Sequence, residues 1–412
     1  MEDKTKIIIA NAPIENGNRG CQALSITSMY LINKLFKDKG KKCMFFLPDS
    51  QCSDDGLHSF KIFDENIDFY ACDYPYQTTI KGNIKNLLKF NKFKKNLDIF
   101  KEIDFILDIG QGDSFADIYG KNRFMYIDRI HRLAEKFGKP YCILPQTIGP
   151  FRDNNIREQA NRSILKSVMV MARDKRSFNY VVKNVPEQKN IHEYIDVAFF
   201  MPYRKMKFND DFIHVGLNIS ALLWNGGYTQ NNQFGLTVDY KKMIRSIIDY
   251  FLSEDKVKLH LTPHVVGENR GIENDYEVSY DLWNEYQNER LVIAPFFLGP
   301  IEAKNYISGM DFFMGARMHS TIGAFSARVP VFPMAYSRKF NGLFEDTLNY
   351  PYMCDMKSQT DNEILDGIKA AFLKREELMS IINDRMDGIV ENRKQHYCPI
   401  KKGNSIFETV EL

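Results

Sequence analysis

Several features that define other classes of protein are missing from this sequence. No apolar run approaches the roughly 20 residues of a membrane-spanning helix, and the first residues lack the layout of a signal peptide. The seven cysteines form no CxxC pair and no metal-type spacing, and the net charge is only +2. These absences argue against membrane-spanning, secreted, zinc-binding and nucleic-acid-binding proteins. We therefore expect a cytoplasmic protein that uses no metal and binds no nucleic acid.

The chain has the size and pattern of a two-domain α/β protein. Its 412 residues are too many for one ordinary core, and short apolar runs alternate with helical patterns, which is typical of parallel sheets. The predicted strands are 6–10, 43–47, 67–71, 105–108, 141–144, 168–172, 213–217, 256–262, 291–294, 312–314 and 329–332. The sequence predicts two Rossmann-like, doubly wound domains, 1–203 and 204–375, that face a cleft as in GT-B folds. A helical segment, 376–412, is expected to follow and can pack back on the first domain.

Open α/β sheets bind ligands beyond the carboxyl ends of their strands, so the loops after strands are the places to look for chemistry. Residues 11–22 (NAPIENGNRGCQ) contain Asn18 and Gly20 between a strand and a helix. They can bind an anion or a sugar hydroxyl at the helix start, or form a plain turn with an asparagine cap. The stretch is not the dinucleotide signature GxGxxG, so no NAD is predicted.

Five further residues are candidates for contact with a hydroxylated ligand. Gln111 and Asp113 lie in DIGQGDSFAD, and Gln146 lies in PQTIGPF, each directly after a predicted strand. Trp224 can stack on a sugar, and His264 follows the strand LHLTP. Turn formation and packing explain these residues equally well. The acids of the first stretch are turn and cap residues because no third metal ligand is in reach.

Two loops carry positively charged side chains, and the second also carries a histidine. ARDKRS places Arg173 at a strand end, where its planar fork suits carboxylate or phosphate unless Asp174 neutralises it. MGARMHS brings Arg317 and His319 to a helix start. Arg338 and Lys339 follow the next strand, so neighbouring strand ends should gather these cations around the imidazole. A small substrate with several negative charges and proton transfer near neutral pH fit this set.

In this order, the motifs resemble those of the polysaccharide pyruvyl transferase family. The similar stretches are NRGCQAL, DIGQGDSFAD, LPQTIGPF, ARDKRS, IDVAFF, GARMHSTIGAFSARVPVF and SRKF, within residues 18–340. The resemblance implies a GT-B-like fold and a phosphoenolpyruvate donor, with no other cofactor. The acceptor would be a sugar or lipid-linked oligosaccharide of a surface-glycan precursor, and the product a pyruvate ketal with phosphate released.

The resemblance also implies roles for particular residues. His319 would be the catalytic acid, with Arg173, Arg317 and Lys339 binding phosphoenolpyruvate. Arg338 stands beside Lys339, so the sequence leaves open which of the two faces the site. Two rival functions share the fold: a glycosyltransferase that uses a sugar nucleotide, for which Glu302 would hold ribose hydroxyls, and a glycan-binding protein without activity.

Residues 81–97 form a separate feature. The stretch carries six lysines and no acid, interleaved with apolar side chains. Such a helix can dock on anionic lipid at the inner face of a membrane, or it can be a solvated face over a packed one. Peripheral membrane contact is therefore an expectation that the sequence leaves open.

Overall fold

The computed structural model describes residues 4–267, 271–393, 397–402 and 405–411, with side chains for 4–79, 81–84, 88–267 and 271–391. The chain divides into two compact units. The first comprises Met1–Asn16, Leu24–Val197 and Arg393–Leu412, and the second comprises Gly17–Ala23 and Ala198–Asn392. None of the described helices is long and apolar enough to cross a membrane.

Eight strands among the described residues form the sheet of the first unit, in the order β3-β4-β2-β1-β5-β6-β7-β8. β3 pairs antiparallel with β4, and every other pairing is parallel. Its central strands are buried apolar runs, as expected for a sheet covered on both faces. The strands are β1 (Thr5–Ala10), β2 (Cys43–Leu47), β3 (Gly56–Ile62), β4 (Glu65–Ala71), β5 (Phe105–Asp108), β6 (Tyr141–Gln146), β7 (Met169–Ala172) and β8 (Ile191–Glu193). The helices are α1 (Arg19–Asp38), which begins in the second unit, α2 (Ile80–Leu88), α3 (Phe90–Glu102), α4 (Lys121–Phe137), α5 (Asn154–Lys166) and α6 (Lys175–Asn184).

The second unit contains a parallel sheet of six described strands in the order β11-β10-β9-β12-β13-β14. The strands are β9 (Ile213–Asn218), β10 (Val257–Leu261), β11 (Leu291–Ile293), β12 (Phe312–Gly315), β13 (Val331–Ala335) and β14 (Cys354–Asp355). The helices are α7 (Ala221–Trp224), α8 (Tyr240–Ser253), α9 (Asp275–Tyr286), α10 (Pro300–Ile307), α11 (Met318–Ser326), α12 (Arg338–Phe340), α13 (Asp361–Leu373) and α14 (Arg375–Arg393). A 3₁₀ helix, Val197–Phe200, spans the point where the chain enters this unit, and a π-helix, Asn341–Thr347, follows α12.

Side-chain caps define where several helices begin. The carboxylates of Asp153, Asp174 and Asp239 each accept a backbone N–H from the first turn of α5, α6 and α8. α13 begins with a capping box between Thr360 and Glu363. Because each cap satisfies N–H groups that have no partner within the helix, it fixes the loop that delivers the chain from the preceding strand.

The α/β prediction with two Rossmann-like domains is confirmed, but the domain limits differ from those expected. The second unit begins at Ala198 because Nζ of Lys304 on α10 binds the carbonyls of Phe199 and Met201, at 3.4 and 2.8 Å. It retains α14 almost to its end, and Arg328 bonds Asn383 there. The prediction of a helical 376–412 was wrong for its last part, since 397–402 and 405–411 are paired strands.

Each sheet has a switch point, where the strand order changes direction at its carboxyl edge. In the first unit it lies between β1 and β5, and in the second between β9 and β12. Open α/β sheets place ligands at this point because the loops on either side diverge and leave a crevice. The loops that follow these four strands are therefore the first places to examine.

Candidate active site

The switch point of the second sheet is held together by an asparagine. Asn218 ends β9 opposite Gly315, which ends β12. The Asn218 amide donates to the carbonyl of Thr262 after β10 at 2.9 Å, and its oxygen accepts the backbone N–H of Arg317 at 2.9 Å. One buried side chain thus fixes the loops after three neighbouring strands, including the loop that carries the predicted catalytic residues.

Arg317 is buried in an ion pair that the sequence did not indicate. Its Nη2 lies 2.8 Å from Oδ1 of Asp275, and Nε lies 3.2 Å from Oδ2. Nη2 also donates to the carbonyl of Glu273 at 3.0 Å. Burial opposes the charged form, but the Asp275 carboxylate outweighs it and raises the pKa of Arg317. Asp275 also accepts the N–H groups of Ala221 and Val265, so it positions the guanidinium and two loops at once.

His319 lies in the first turn of α11, covered by residues from near the start of the chain. A Cβ added at Gly20 would lie 2.3 Å from Nδ1 of His319 and 2.7 Å from Cγ, so only glycine fits there. The Asn18 side chain caps α1 by accepting the N–H of Gly20 at 2.9 Å. Asn18 also forms a β-bridge with Val265. The predicted residues Asn18, Gly20 and His319 are therefore brought together, with Asn18 in the capping role that the sequence left open.

His264 joins the same cluster. It is 5% exposed, and its carbonyl accepts the N–H of Arg19 at 3.1 Å. Its Nε2 is buried and has no hydrogen-bond partner among the described residues. Burial lowers the pKa of His264 well below its ordinary value, and His319, Arg317 and Arg19 lower it further. A neutral imidazole with an unsatisfied nitrogen thus lies among positively charged neighbours.

Arg19 is a member of this cluster that the sequence analysis missed. It is 6% exposed, and its Nε and Nη2 donate to the carbonyl of Phe297 at 3.0 and 2.6 Å. Burial lowers its pKa, and the charge of Glu302 opposes that shift. The sequence signal for Arg19 is its place in NRGCQ, between the first strand and the first helix. Glu302, the predicted ribose ligand of the rival function, accepts the N–H of Leu298 at 2.8 Å.

Arg338 and Lys339 form α12 directly after β13, which neighbours β12. Both side chains are half-buried, and Nζ of Lys339 lies 5.8 Å from the ring centroid of Tyr336. The hydroxyl of Tyr228 donates to Glu273 at 2.9 Å. Burial and Glu273 raise the pKa of this phenol, so it stays protonated. Because β12 and β13 are neighbours in the sheet, the strand order agrees with the prediction that Arg317 and Lys339 follow adjacent strands.

Arg173, in the first unit, is also held by a carboxylate. The side chain is 1% exposed, with Nη1 2.7 Å from Oδ2 of Asp196 and Nε 2.9 Å from Oγ1 of Thr147. Asp174, which the sequence offered as an alternative partner for Arg173, caps α6 by accepting the N–H of Ser177 at 2.8 Å. The signal for Asp196 was its place in the motif IDVAFF. Three of the sequence motifs thus meet at one buried hydrogen-bond network.

Gln146 belongs to a second buried network at the first switch point. Its amide donates to the carbonyl of Asp108 at 2.9 Å, and the side chain is fully buried, which favours a structural role over the predicted acceptor contact. Asn11 after β1 donates to Asp108 at 2.6 Å. His131 lies 3.1 Å from both Asp108 and Asp128. Burial lowers the pKa of His131, but the two carboxylates raise it to about 9.

The remaining predicted acceptor residues are tied to other side chains. Gln111 accepts a hydrogen bond from Arg123, and Asp113 accepts one from the hydroxyl of Tyr119 at 2.8 Å. Two cationic groups of α8 lie 5.4 and 5.2 Å from the ring of Trp224. Contact of Gln111, Asp113 and Trp224 with an acceptor stays a prediction. Within the described residues, no group of three or more His, Cys, Asp or Glu side chains is arranged to hold a metal ion.

Two Rossmann-like domains define the GT-B class, and solved structures of that architecture are similar over nearly the whole chain. Sucrose-phosphate synthase from Thermosynechococcus elongatus matches with a TM-score of 0.58 at 11% identity, covering 94% of this chain and 95% of that chain. A putative UDP-N-acetylglucosamine 2-epimerase from Listeria monocytogenes gives 0.55 at 12%, covering 96% and 97%. The E. coli trehalose-6-phosphate protein bound with UDP-2-fluoro glucose gives 0.54 at 9%, covering 94% and 96%. At these identities the likeness concerns the fold alone.

The sequence narrows the class further. The model of the polysaccharide pyruvyl transferase family matches residues 54–338, which is most of the chain, and the protein belongs to that family. The matched range contains Arg173, His264, Arg317 and His319. The segment with Gly20 precedes the matched range, and Lys339 is the first residue after it.

Proposed function

We propose that this protein transfers the enolpyruvyl carbons of phosphoenolpyruvate to two hydroxyls of a sugar, forming a pyruvate ketal and releasing phosphate. The observation that carries the proposal is the placement of His319 in the first turn of α11, at a switch point, beside Arg317 and His264. An imidazole among cations suits proton transfer to a bound anion near neutral pH. Membership of the family supports the same chemistry.

In the proposed reaction, His319 is the general acid. The protonated imidazole gives its proton to the methylene carbon of phosphoenolpyruvate, which becomes a methyl group. The central carbon becomes electron-poor, and one sugar hydroxyl adds to it and loses a proton. A second hydroxyl then displaces phosphate from the same carbon and closes the ketal, and its proton leaves with the phosphate. Neutral His319 can accept a hydroxyl proton, which restores the acid form for the next turnover.

Arg317 and Lys339 are proposed to hold the carboxylate and phosphate of the donor, and a role of Arg173 toward the donor stays a prediction from the resemblance. A guanidinium carries five N–H donors. Asp275 fixes the plane of the Arg317 guanidinium, and Nη1 of the same group lies 3.6 Å from the nearest carboxylate oxygen of Glu273. Asp196 fixes Arg173 in the same manner. Donors that are already oriented stabilise developing charge without reorganisation. In this proposal the half-buried Lys339, with Arg338 beside it, supplies further positive charge.

His264 is the proposed acceptor contact with the best structural support. Its Nε2 is buried without a partner among the described residues, and such an atom is costly unless a ligand or water completes it. Because the ring is neutral, it can orient a sugar hydroxyl without competing with His319 for the proton. Asn18 and Gln146 are assigned here to the framework of the site, because their side chains cap α1 and bond Asp108.

The test is a direct measurement of product. Purified protein is given phosphoenolpyruvate with a panel of sugar and lipid-linked acceptors, phosphate release is followed, and the glycan is weighed by mass spectrometry. We expect phosphate release that depends on acceptor and a mass increase equal to a ketal-linked pyruvate. Stabilisation and turnover with a nucleotide sugar instead of phosphoenolpyruvate would establish the rival glycosyltransferase function and contradict the proposal.

A further inference from the structure

The lysine-rich stretch of the first unit forms two helices with a break at Lys89. On α2, Lys81, Ile84 and Leu88 are spaced three and four residues apart, so they share one face. Ile84 is 55% exposed and Leu88 is 81% exposed. Phe90, the first residue of α3, is 64% exposed. Three large apolar side chains therefore lie in solvent within one short segment, where burial in this chain does not explain them.

The five lysines of this segment whose side chains the structure describes divide into two groups. Lys92 is bound by Asp55 and Asp73, at 2.7 and 2.6 Å, and Lys95 lies over the ring of Tyr70. Lys81, Lys89 and Lys94 are exposed, and the described part of the chain offers none of them an ion-pair partner. Their charges are therefore available to a partner outside the chain. We call Lys81, Ile84, Leu88, Lys89, Phe90 and Lys94 the α2–α3 patch.

A polar cavity of about 320 Å³ adjoins the patch. Thr78, Thr79, Gln77 and Asn96 are among its lining residues, and Lys89 belongs to both the cavity and the patch. Hydroxyl, amide and ammonium groups are suited to the phosphate and glycerol oxygens of a lipid head group. The apolar side chains beside them suit the acyl boundary below that head group.

We propose that the α2–α3 patch docks this protein on an anionic lipid surface. Leu88, Phe90 and Ile84 enter the boundary between head groups and acyl chains, while the three exposed lysines pair with lipid phosphates. Cationic side chains interleaved with exposed apolar ones are typical of elements that lie in a membrane interface, because charge attracts them and apolar burial holds them. This inference does not depend on the chemistry proposed for His319.

The test is flotation of the full-length protein with vesicles of phosphatidylcholine alone and of phosphatidylcholine mixed with phosphatidylglycerol. We expect binding to the anionic vesicles only, with loss at high salt. Each lysine near such a surface contributes about fivefold, so changing Lys81, Lys89 and Lys94 to Gln together should weaken binding by at least about tenfold. The pair Leu88→Ser and Phe90→Ser should weaken it by about tenfold or more.

Matched controls distinguish binding by this patch from a general effect of positive charge or exposed apolar side chains. Lys183→Gln, Lys205→Gln and Lys256→Gln remove the same charge from exposed positions elsewhere, and Leu373→Ser removes a side chain that is 74% exposed. These controls should bind vesicles as the unaltered protein does. Turnover with a water-soluble acceptor should not change in any of these variants, which distinguishes failed docking from failed catalysis. Absence of anionic-vesicle binding, or equal binding by the Leu88→Ser/Phe90→Ser variant, overturns the proposal.

Discussion

The two units of this protein contain similar side chains in different states. Each unit has a buried arginine–aspartate pair near a strand end, Arg173–Asp196 in the first and Arg317–Asp275 in the second. Each also has a histidine at its switch point. In the first unit His131 is fully buried between two carboxylates, whereas in the second His319 lies against a glycine and a neutral histidine.

The difference teaches how the same residue types can serve structure or chemistry. Carboxylates on both sides of His131 fix its charge, so it cannot exchange a proton near neutral pH without destabilising the fold. The surroundings of His319 supply cations and glycine backbone instead. We infer that the first switch point is filled and structural, and that the second carries out the reaction. Four predictions test this inference.

The largest difference is expected between the two histidines. His319→Gln should lower turnover by about 10²- to 10⁴-fold, the usual effect of losing a general acid, with little change in stability. His131→Gln leaves two buried carboxylates without their cation and should lower the free energy of unfolding by about 3–5 kcal/mol. Turnover and urea unfolding of both variants test this. If His131→Gln abolishes turnover in a stably folded protein, the comparison fails.

Substitution of Asp275 should destabilise the second unit, and substitution of Asp196 should destabilise the first. Asp275→Asn and Asp196→Asn each leave a buried guanidinium without its carboxylate, and each should destabilise by about 3–5 kcal/mol. Both tryptophans, Trp224 and Trp283, lie in the second unit. Unfolding followed by tryptophan fluorescence should therefore report Asp275→Asn directly. Hydrogen exchange measured on peptides from β7 and α6 should report Asp196→Asn.

A single methyl group should affect the second site alone. Gly20→Ala would place Cβ against the imidazole of His319 and displace it, and a misplacement of about 1 Å can cost about 10²-fold in rate. The control is Gly388→Ala on α14, where the added Cβ meets nothing within 4 Å. Alanine favours helix over glycine by up to about 1 kcal/mol, so the control should be slightly more stable and fully active. Unchanged kcat in Gly20→Ala would show that the contact does not position His319.

The smallest predicted effect is an opposite pH response of the two units. The pKa of His131 is raised to about 9 from 6.5, so its contribution to stability is present below pH 6.5 and is lost by pH 9. Burial lowers the pKa of Lys304 to about 7 from 10.5, so its contribution is absent below pH 7 and grows as the pH rises toward 10.5. Each response is limited to about 1.4 kcal/mol per pH unit.

Unfolding between pH 6 and pH 9 should therefore weaken the first unit and strengthen the second. Tryptophan fluorescence follows the second unit, and hydrogen exchange corrected for its intrinsic pH dependence follows the first. Lys304→Met should remove the response of the second unit, and His131→Gln that of the first. Responses of the same sign in both units would contradict the assignment of these two groups.

Short apolar runs were sufficient to predict the central strands, because buried parallel strands are continuous apolar runs. β3, β8 and β14 were missed: the first alternates polar and apolar residues at a sheet edge, and the others are only three and two residues long. The motifs located Arg317 and His319, but their local spacing did not reveal Asp275 as a partner. Long-range ion pairs depend on how strands are ordered, which local patterns do not encode.

The contribution of residues 17–23 to the second unit has a practical consequence for dissecting the protein. A fragment such as 198–392 would lack Gly20, which covers the imidazole of His319, and Asn18, which forms a β-bridge with Val265. Such a fragment would contain the whole second sheet but would leave His319 uncovered. A circular permutant that joins residue 392 to residue 17 would retain both segments of the second unit and keep this histidine covered.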